Sequence, residues 1–378
     1  MEAFALVVRA WLRRIDDALT PYLRQLLRFL GLPYCYLYLV DWKQCRRSPV
    51  LVAMDQLYIF FVLRYFPDNY SNCRLYELPR REWAFYYGSS YHPFQRARLQ
   101  RRVQPREYRI PFEDKEVCQQ LCIGAGIRIA QSAGVLDPNL PVVPQLRALT
   151  ASLEGVRLIG KPVLGAGGAG IFFIERSEGD ICVYRNGALV DIRNFFIRER
   201  ILVQHLVEQH TELSQLYSGS VNTIRILTLR DRNAEVHVLS AVLRCGIGGA
   251  AVDNWSAGGV AAGIDLESGT AMATAFDKRG IEFKQHPDTG VTFGGLLLPK
   301  WREVLDFAQQ VQSAFPYHPM LGLDVAITAT GPVIIEINTR PDFIFQEQTA
   351  GPLLKSPRVY RLFERENLLF NRTQLGLH

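Results

Sequence analysis

Two acidic residues and one amide near the carboxyl end of the sequence have the types and spacing of a metal site. Residues 321–340, LGLDVAITATGPVIIEINTR, alternate apolar with other residues and predict two short strands around a tight turn. If the turn is centred near Thr330, Asp324 lies opposite Glu336, and Asn338 points to the same face as Glu336. Two carboxylates and one amide oxygen suit Mg²⁺, which also binds phosphate oxygens. The alternative is the plain polar face of an amphipathic hairpin.

A lysine and a glycine-rich turn further upstream predict a place for phosphate. Residues 158–175, LIGKPVLGAGGAGIFFIE, fit a GxGxxG spacing, but a strand follows where the dinucleotide motif needs a helix. They also fit GxxxxGK, but Pro162 stands where a P-loop has Ser or Thr. In the remaining pattern, the ammonium of Lys161 and backbone N–H groups of the turn can approach phosphate oxygens. A flexible hairpin turn is the alternative. The glycines assigned to the turn are Gly165, Gly167 and Gly168.

The segment 200–210, RILVQHLVEQH, predicts an extended strand that enters a loop. Such a backbone can present N–H and C=O groups to the edge of an adenine ring. The candidate contacts are Gln204, the backbone of His205, Leu206 and Val207, and the side chain of Glu208 or Glu212. Two further segments can approach a ligand. They are a strand beginning near Asn222 and Arg225, and a loop of small residues around Asn254.

The elements that position these residues are strand-like runs with few helices between them. The predicted strands are 156–163, 170–175, 181–185, 200–207, 222–230, 235–244, 259–264 and 270–276. The predicted helices are 3–30, divided at Pro21, then 114–130, capped by Asp114, and 301–315 and 358–367. Strands clustered in this way indicate an α+β organisation with antiparallel sheets.

Composition predicts a globular, cytoplasmic protein. The 378 residues are 48% hydrophobic and 21% charged, and no apolar run approaches the roughly 18 residues that span a bilayer. Arg9, Arg13 and Arg14 interrupt the first apolar stretch, which argues against a signal peptide. Seven cysteines without CxxC spacing favour free thiols in a reducing compartment.

The first part of the chain carries most of the positive charge. Residues 1–110 contain 18 Lys and Arg against 9 Asp and Glu. Such a lobe can face an anionic substrate, nucleic acid or a membrane surface, or it can simply be solvated. The predicted helix over 3–30 is basic and amphipathic, and helices of this kind lie on membranes or pack on their own protein. Nucleic acid is not expected as a partner, and a homodimer is left open.

Taken in order, several pieces of the sequence resemble the ATP-grasp superfamily, and within it the sugar-transfer-associated branch. The pieces are DK at 114–115, GKPVLGAGGAG, SVNTIRILT, DNWSAGG, and GLDVAI followed by GPVIIEINTRP. The resemblance covers roughly residues 110–350. It implies an ATP-grasp fold, in which two α+β lobes clasp ATP, preceded by a mainly helical lobe. The expected divisions are 1–110, the ATP-grasp domain 111–350 with lobes 151–207 and 208–350, and a tail 351–378.

The resemblance also implies roles for individual residues. Lys115 and Lys161 would contact the phosphates or the adenine side of ATP, and Gln204 would stand where the family commonly has glutamate. The residues expected to bind one or two Mg²⁺ ions, with Mn²⁺ as a substitute, are Asp324, Glu336 and Asn338. Arg225 would stabilise the transferring phosphoryl group and the later oxyanion, and Arg340 would hold a substrate carboxylate.

The chemistry implied is ligation of a carboxylate to an amine through an acyl phosphate, with release of ADP and phosphate. The co-substrates are then an acid, small or carrier-linked, and an amine such as an amino acid. Two alternatives remain open. One is an enzyme with a non-amine acceptor, such as an ester-forming ligase or a kinase. The other is a non-catalytic nucleotide-binding accessory protein of polysaccharide biosynthesis.

Overall fold

The computed structural model describes residues 30–88, 95–153, 155–165, 168–177, 179–185, 187–253, 255, 258–369 and 376–378. The chain divides into two compact units. One contains the described residues up to Leu99 together with Leu354–His378, and the other is Gln100–Leu353. The predicted site residues all belong to the second unit. Among the described residues, no helix has the length and apolar character needed to cross a membrane.

The helices and strands are numbered here in chain order. The α-helices are α1 (Pro49–Tyr58), α2 (Arg80–Trp83), α3 (Gln95–Val103), α4 (Ile110–Glu113), α5 (Lys115–Gly124), α6 (Val142–Thr150), α7 (Thr211–Leu216), α8 (Trp301–Ala314), α9 (Phe343–Ala350) and α10 (Pro357–Arg365). The strands are β1 (Ser132–Leu136), β2 (Arg157–Pro162), β3 (Phe172–Ser177), β4 (Asp180–Arg185), β5 (Ala188–Val190), β6 (Ile201–His205), β7 (Thr223–Arg230), β8 (Val236–Cys245), β9 (Val260–Ile264), β10 (Ala271–Phe276), β11 (Glu282–Phe283), β12 (Met320–Thr328) and β13 (Gly331–Asn338).

A sheet of seven strands carries the predicted hairpin. Its order is β11-β10-β9-β8-β7-β12-β13, and each pair of neighbours is antiparallel. Helix α8 packs on one face, where Val304 belongs to the same buried cluster as Ile224 of β7 and Leu323 of β12. Because side chains alternate along a strand, the next residues, Arg225 and Asp324, point to the opposite face. The sheet therefore presents these two charged side chains on the same side.

The second sheet has six antiparallel strands in the order β1-β6-β2-β3-β4-β5. On β2, Leu158 packs into a buried cluster with Phe172, whereas Ile159 and Lys161 line a cavity on the other face. Gly160 is required between them, because a Cβ there would collide with the ring of Phe172. The alternation thus directs Lys161 into the cavity while the strand stays packed.

Residues 128–136 connect the two sheets. At one end, the backbone N–H of Ile334 on β13 donates to the carbonyl of Arg128 at 2.9 Å, and Ala130 donates back to Ile334 at 3.1 Å. At the other end, the His205 N–H donates to the Gln131 carbonyl at 2.8 Å, and β1 pairs with β6. One continuous extended segment is therefore hydrogen bonded to both sheets.

The predicted α+β class with antiparallel sheets is confirmed, and all eight predicted strands are present. The predicted helix over 114–130 is too long, because α5 ends at Gly124 and Gly126 adopts a left-handed conformation with φ +69°. The predicted helix over 3–30 lies outside the described residues except for Leu30. The structure also contains elements that were not predicted, namely β1, β5, β11, α1, α2, α3, α4, α6, α7 and α9.

The first unit is held together around a buried acid. Helix α1 continues as a π-helical turn, Ile59–Leu63. Its residue Asp55 is fully buried and accepts hydrogen bonds from the Tyr70 hydroxyl at 2.8 Å and from Arg80 at 2.7 Å. Arg47 adds an ion pair at 3.1 Å. A buried carboxylate is tolerated only when it is paired in this way.

Candidate active site

The predicted hairpin consists of β12 and β13, and Asp324 lies directly opposite Glu336 in the ladder. The turn consists of residues 329–330, so its centre lies half a residue before the predicted centre at Thr330. A register shift next to Asp324 leaves Ile335 as an additional, unpaired residue in β13. This bulge restores the pairing of the two acids and turns Ile335 and Glu336 toward the same cavity. The predicted pairing is therefore confirmed, although a bulge produces it.

Asp324 is only 2% exposed, and two arginine side chains donate hydrogen bonds to its carboxylate oxygens, so that both oxygens have a partner. Arg225, its ladder partner on β7, donates from Nε to Oδ1 and from Nη2 to Oδ2, the latter at 3.0 Å. Arg244 on β8 donates from Nη2 to Oδ2 at 3.1 Å. Burial favours a raised pKa for Asp324, but the two guanidinium groups outweigh it and hold that pKa below its ordinary value. The side chain is thus fixed as an anionic oxygen donor.

Arg244 and Asp253 extend this network, and sequence patterns single out neither. Arg244 is the ladder partner of Thr223 and donates to its Oγ1 at 2.7 Å. Asp253 accepts from the Thr223 backbone N–H at 3.0 Å and lies 3.4 Å from Arg244. Burial opposes the charge of Arg244, but Asp253, Asp324 and Glu336 outweigh burial and raise its pKa. The available signals are a lone arginine inside the apolar strand β8 and, for Asp253, its place in the piece DNWSAGG.

Lys115 joins the glycine turn to the hairpin. Asp114 caps α5 as predicted, accepting two backbone N–H groups at 3.0 Å each. Lys115, the first residue of that helix, donates from Nζ to the carbonyl oxygen of Gly165. The same ammonium lies 3.6 Å from Oε1 of Glu336. A helix N-terminus, a glycine turn and a predicted metal ligand therefore meet at one lysine.

Lys161 is the second lysine of the cavity, and it is half-buried on β2. Within the described ranges, its ammonium has neither a hydrogen bond nor an ion pair with a protein group. Burial lowers the pKa of Lys161, and the attraction of Glu336 opposes this only in part. A negative ligand beside Lys161 would therefore be bound favourably, because it supplies the missing counter-charge.

These side chains line a cavity of about 330 Å³ that takes residues from both sheets. Its apolar lining includes Ala130, Ile159, Ile171, Leu206, Val207, Trp255, Ile335 and Phe345. Its charged lining, among the described residues, is Lys115, Lys161, Arg225, Arg244, Asp253, Asp324, Glu336 and Asp342. Concave sites that combine an apolar wall with a few converging polar groups are typical of ligand sites.

Most of the predicted site residues meet in this cavity. Those that line it are Lys115, Lys161, Gly165, Gly168, His205, Leu206, Val207, Arg225, Asp324, Glu336 and Asn338. Those that do not are Gln204, Glu208, Glu212 and Arg340. Gly167 and Asn254 lie outside the described residues.

Gln204 and Arg340 do not line the cavity and contact other parts of the protein. Gln204 is 3% exposed, and its Nε2 donates to the Ala130 carbonyl at 3.2 Å and to Oε1 of Gln119 at 3.4 Å. It thus supports the segment that connects the sheets. Arg340 is exposed and lies 3.8 Å from Glu113. Arg340 therefore lies outside the cavity lining.

The donor set of the hairpin suits a hard divalent cation. Asp324, Glu336 and Asn338 bring two carboxylates and an amide to the same cavity. Two arginines hold Asp324 in its anionic form. The distance from Nζ of Lys115 to Oε1 of Glu336 is 3.6 Å, which is longer than a hydrogen bond, so this carboxylate can still accept another partner. Oxygen ligands without thiolate or imidazole favour Mg²⁺ or Mn²⁺ over zinc or copper.

The two sheets and their shared cavity belong to an ATP-grasp protein. Residues 94–357, more than half of the chain, match the family described as sugar-transfer associated ATP-grasp. The chain therefore belongs to this family. A sequence comparison with curated proteins gives no match.

Several solved structures are similar to part of the chain. N5-carboxyaminoimidazole ribonucleotide synthetase from Thermotoga maritima is 14% identical, over 61% of this chain and 43% of that chain, with a TM-score of 0.34. The biotin carboxylase domain of 2-oxoglutarate carboxylase from Hydrogenobacter thermophilus is 16% identical, over 70% of this chain and 48% of that chain, with a TM-score of 0.40. D-alanine–D-alanine ligase from Bacillus anthracis is 12% identical, over 67% of each chain, with a TM-score of 0.35. The chain spans less than half the length of the first three structures it matches.

Proposed function

We propose that this protein is an ATP-dependent carboxylate–amine ligase that forms an amide or peptide bond and releases ADP and phosphate. The observation that carries the proposal is the convergence of Lys115 and Lys161 with Asp324, Glu336 and Asn338 in one cavity. Lysine ammonium groups suit phosphate oxygens, and the three oxygen donors suit the Mg²⁺ ion that accompanies a nucleoside triphosphate. Family membership supports the nucleotide.

Charge in the cavity supports a nucleotide that arrives with its metal. Four basic and four acidic side chains line the described part of the cavity, so their formal charges cancel. A bare triphosphate would bring several negative charges close to Asp324 and Glu336. Asp324, Glu336 and Asn338 would hold a divalent cation here, and such an ion would supply the positive charge that offsets this repulsion and the charge of a transferring phosphoryl group.

The stretch 205–207 supports the adenine end of the proposal. The N–H groups of His205 and Leu206 already donate to the carbonyls of Gln131 and Arg157, at 2.8 and 3.2 Å. Among the described residues, no backbone acceptor pairs with the N–H of Val207, which lies in the cavity lining. This N–H is therefore the group we assign to the edge of the base, and Ile159 adds an apolar side chain to the same cavity.

The proposed reaction has two steps. A carboxylate oxygen attacks the γ-phosphorus, the bond to the β–γ bridging oxygen breaks, and ADP leaves with that electron pair. An amine then attacks the acyl carbon, and phosphate leaves with the carbon–oxygen electron pair as the amine loses a proton. Arg225 supports the transferring group, because its guanidinium faces the cavity while it holds Asp324.

The test is a screen of acid and amine pairs for ADP release, with mass spectrometry of the product. ADP and phosphate released only when both co-substrates are present would support the ligase. Glu336→Gln is expected to abolish turnover, whereas Glu267→Gln, an exposed acid of a distant turn, serves as the matched control. Unchanged ATP consumption in Glu336→Gln would remove Glu336 from the metal site.

Other outcomes of the screen decide between the alternatives. ADP release that needs an alcohol instead of an amine would establish an ester-forming ligase or a kinase. AMP and pyrophosphate as products would establish adenylation. Binding of ATP without turnover of any pair would favour a nucleotide-binding accessory protein. We also propose a cytoplasmic location, where ATP is available and where the seven free cysteines stay reduced.

A further inference from the structure

The first unit exposes apolar side chains along two helical segments. Residues 30–34 are helical and lead into a π-helical turn, Cys35–Leu39, and the second segment is α1 with its π-helical turn. The exposed residues repeat with helical spacing, and we call them the apolar stripes: Tyr34, Leu37 and Tyr38 on the first segment, and Met54, Leu57 and Phe61 on the second. Tyr38 is 73% exposed and Leu37 is 59% exposed.

The apolar stripes are additional to the core of the unit. Leu32 and Cys35 of the first segment are buried against Phe60 of the second, in a cluster that includes Phe66. On α1, Val52 is fully buried on the side away from the stripe. Each segment thus has a packed side and an exposed apolar side. Exposed apolar side chains that recur along one side of a helical segment favour a binding surface.

The charges next to the apolar stripes have one sign. Between residues 30 and 64 the exposed charged side chains are Lys43, Arg46 and Arg64, all basic. The two acids of this stretch are occupied elsewhere. Asp41 accepts hydrogen bonds from Gln44 and the Lys43 backbone, and Asp55 is buried among its partners. The surface is therefore apolar and cationic.

Three exposed aromatic residues at or next to the apolar stripes carry polar groups. Tyr34, Tyr38 and Trp42 are exposed, and each combines a large apolar ring with a hydrogen-bonding group. Such residues favour the boundary between hydrocarbon and water, where membrane proteins concentrate tyrosine and tryptophan. The sequence just before this surface, residues 3–29, has Phe, Trp and Leu at helical spacing with five arginines and two aspartates, so it is also net basic.

We propose that the apolar stripes dock on a lipid bilayer that carries anionic headgroups. The apolar side chains would enter the headgroup region while Lys43, Arg46 and Arg64 face phosphate or carboxylate groups of the lipids. Charge complementarity favours this occupant over a second copy of the chain. A symmetric dimer through the apolar stripes would bring these same basic groups together from both copies, and like charges repel.

The test uses the full chain and sedimentation with phosphatidylcholine vesicles, with or without phosphatidylserine. Binding only to the anionic vesicles is expected. Leu37→Ser/Phe61→Ser is expected to weaken binding about tenfold or more, because burial of one large apolar side chain contributes about 1.5–3 kcal/mol. Lys43→Gln/Arg46→Gln is expected to weaken it about fivefold per charge, from about 1 kcal/mol for each basic residue at an anionic surface.

The second unit offers matched controls. Leu189→Ser/Phe196→Ser removes one leucine and one phenylalanine that are 64% and 57% exposed, close to the 59% and 56% of Leu37 and Phe61. These variants, and Lys284→Gln/Arg302→Gln for charge, should bind as the wild type does.

Three results would overturn the proposal. They are equal binding to neutral and anionic vesicles, equal loss in the control variants, and no vesicle binding by the wild type. Light scattering is measured in parallel. A dimer that dissociates in Leu37→Ser/Phe61→Ser, without vesicle binding, would assign the apolar stripes to self-association instead. Circular dichroism of each variant checks that its helical content equals that of the wild type, so that a loss of binding is not a loss of folding.

Discussion

The guanidinium of Arg225 bonds to both oxygens of Asp324, and the two residues are direct partners across β7 and β12. Both are largely removed from water, with 13% and 2% of their side chains exposed. The pair therefore does two things at once. It satisfies a buried charge, and it holds Asp324 in the lining of the cavity, where we propose that a metal ion and a phosphate bind.

Asp324→Asn should lower both stability and turnover. The variant leaves Arg225 and Arg244 without their shared anion, and removal of one partner of a buried ion pair costs about 3 to 5 kcal/mol. Urea unfolding followed by fluorescence measures the loss. Asp306→Asn, an exposed acid on α8, is the matched control and should change stability little. Equal stability of Asp324→Asn and wild type would show that the ion pairs are not stabilising.

Lys161→Met should raise the ATP concentration needed for half-maximal turnover about tenfold or more, because a charged hydrogen bond contributes about 1.5–3 kcal/mol. The methionine keeps the length of the side chain and removes its charge. Steady-state kinetics over a range of ATP concentrations measures the change, with Lys284→Met as the exposed control. An unaltered dependence on ATP would place Lys161 outside the phosphate site.

Gln204→Glu should destabilise the fold without changing nucleotide affinity. The glutamine N–H₂ group donates to the Ala130 carbonyl, and a buried carboxylate would set oxygen against oxygen. The expected loss is about 1–3 kcal/mol at neutral pH. It should be smaller in acid, where a protonated glutamate regains a donor. Gln310→Glu on the exposed side of α8 is the control. A large change in ATP affinity with unchanged stability would instead assign Gln204 to the nucleotide.

The stability of the protein should fall between neutral and mildly acidic pH because of His318. Burial lowers the pKa of His318 to about 4 from its ordinary 6.5. As the pH falls below the ordinary pKa of 6.5, the imidazole of His318 binds a proton in the unfolded chain but not yet in the folded chain. The free energy of unfolding is therefore highest above that pH and decreases as the pH falls toward about 4. The expected loss is about 2 kcal/mol at about pH 5.

Urea unfolding at about pH 7.5 and about pH 5 tests this expectation. In His318→Leu the difference between the two conditions should shrink by the same amount, since the other titrating groups are unchanged. If the wild type and His318→Leu lose equal stability on acidification, His318 is not responsible.

The pairing of Asp324 with Glu336 shows what residue patterns can predict. Alternation of residue types and a turn signal predict a hairpin in which the two acids face each other. The bulge at Ile335 could not be predicted, because no glycine or proline marks it. The prediction succeeded because a turn half a residue early and a bulge compensate each other.

Contacts between distant strands lie beyond such patterns. Arg244 reaches Asp324 only because β8 pairs with β7 and β7 with β12 in one register, and Asp253 joins them from a loop. The residue pattern does not predict helix α9 for a different reason. Its residues Phe343, Phe345 and Gln346 are all buried, so no polar face reveals a helical period.

The segment 128–136 has a consequence for how the cavity can change shape. Both sheets are hydrogen bonded to this segment, one through Ile334 and the other through His205. A change in the distance between the sheets beside Ala130 would have to break these backbone hydrogen bonds, so this edge of the cavity is held to one width whatever side chains line it.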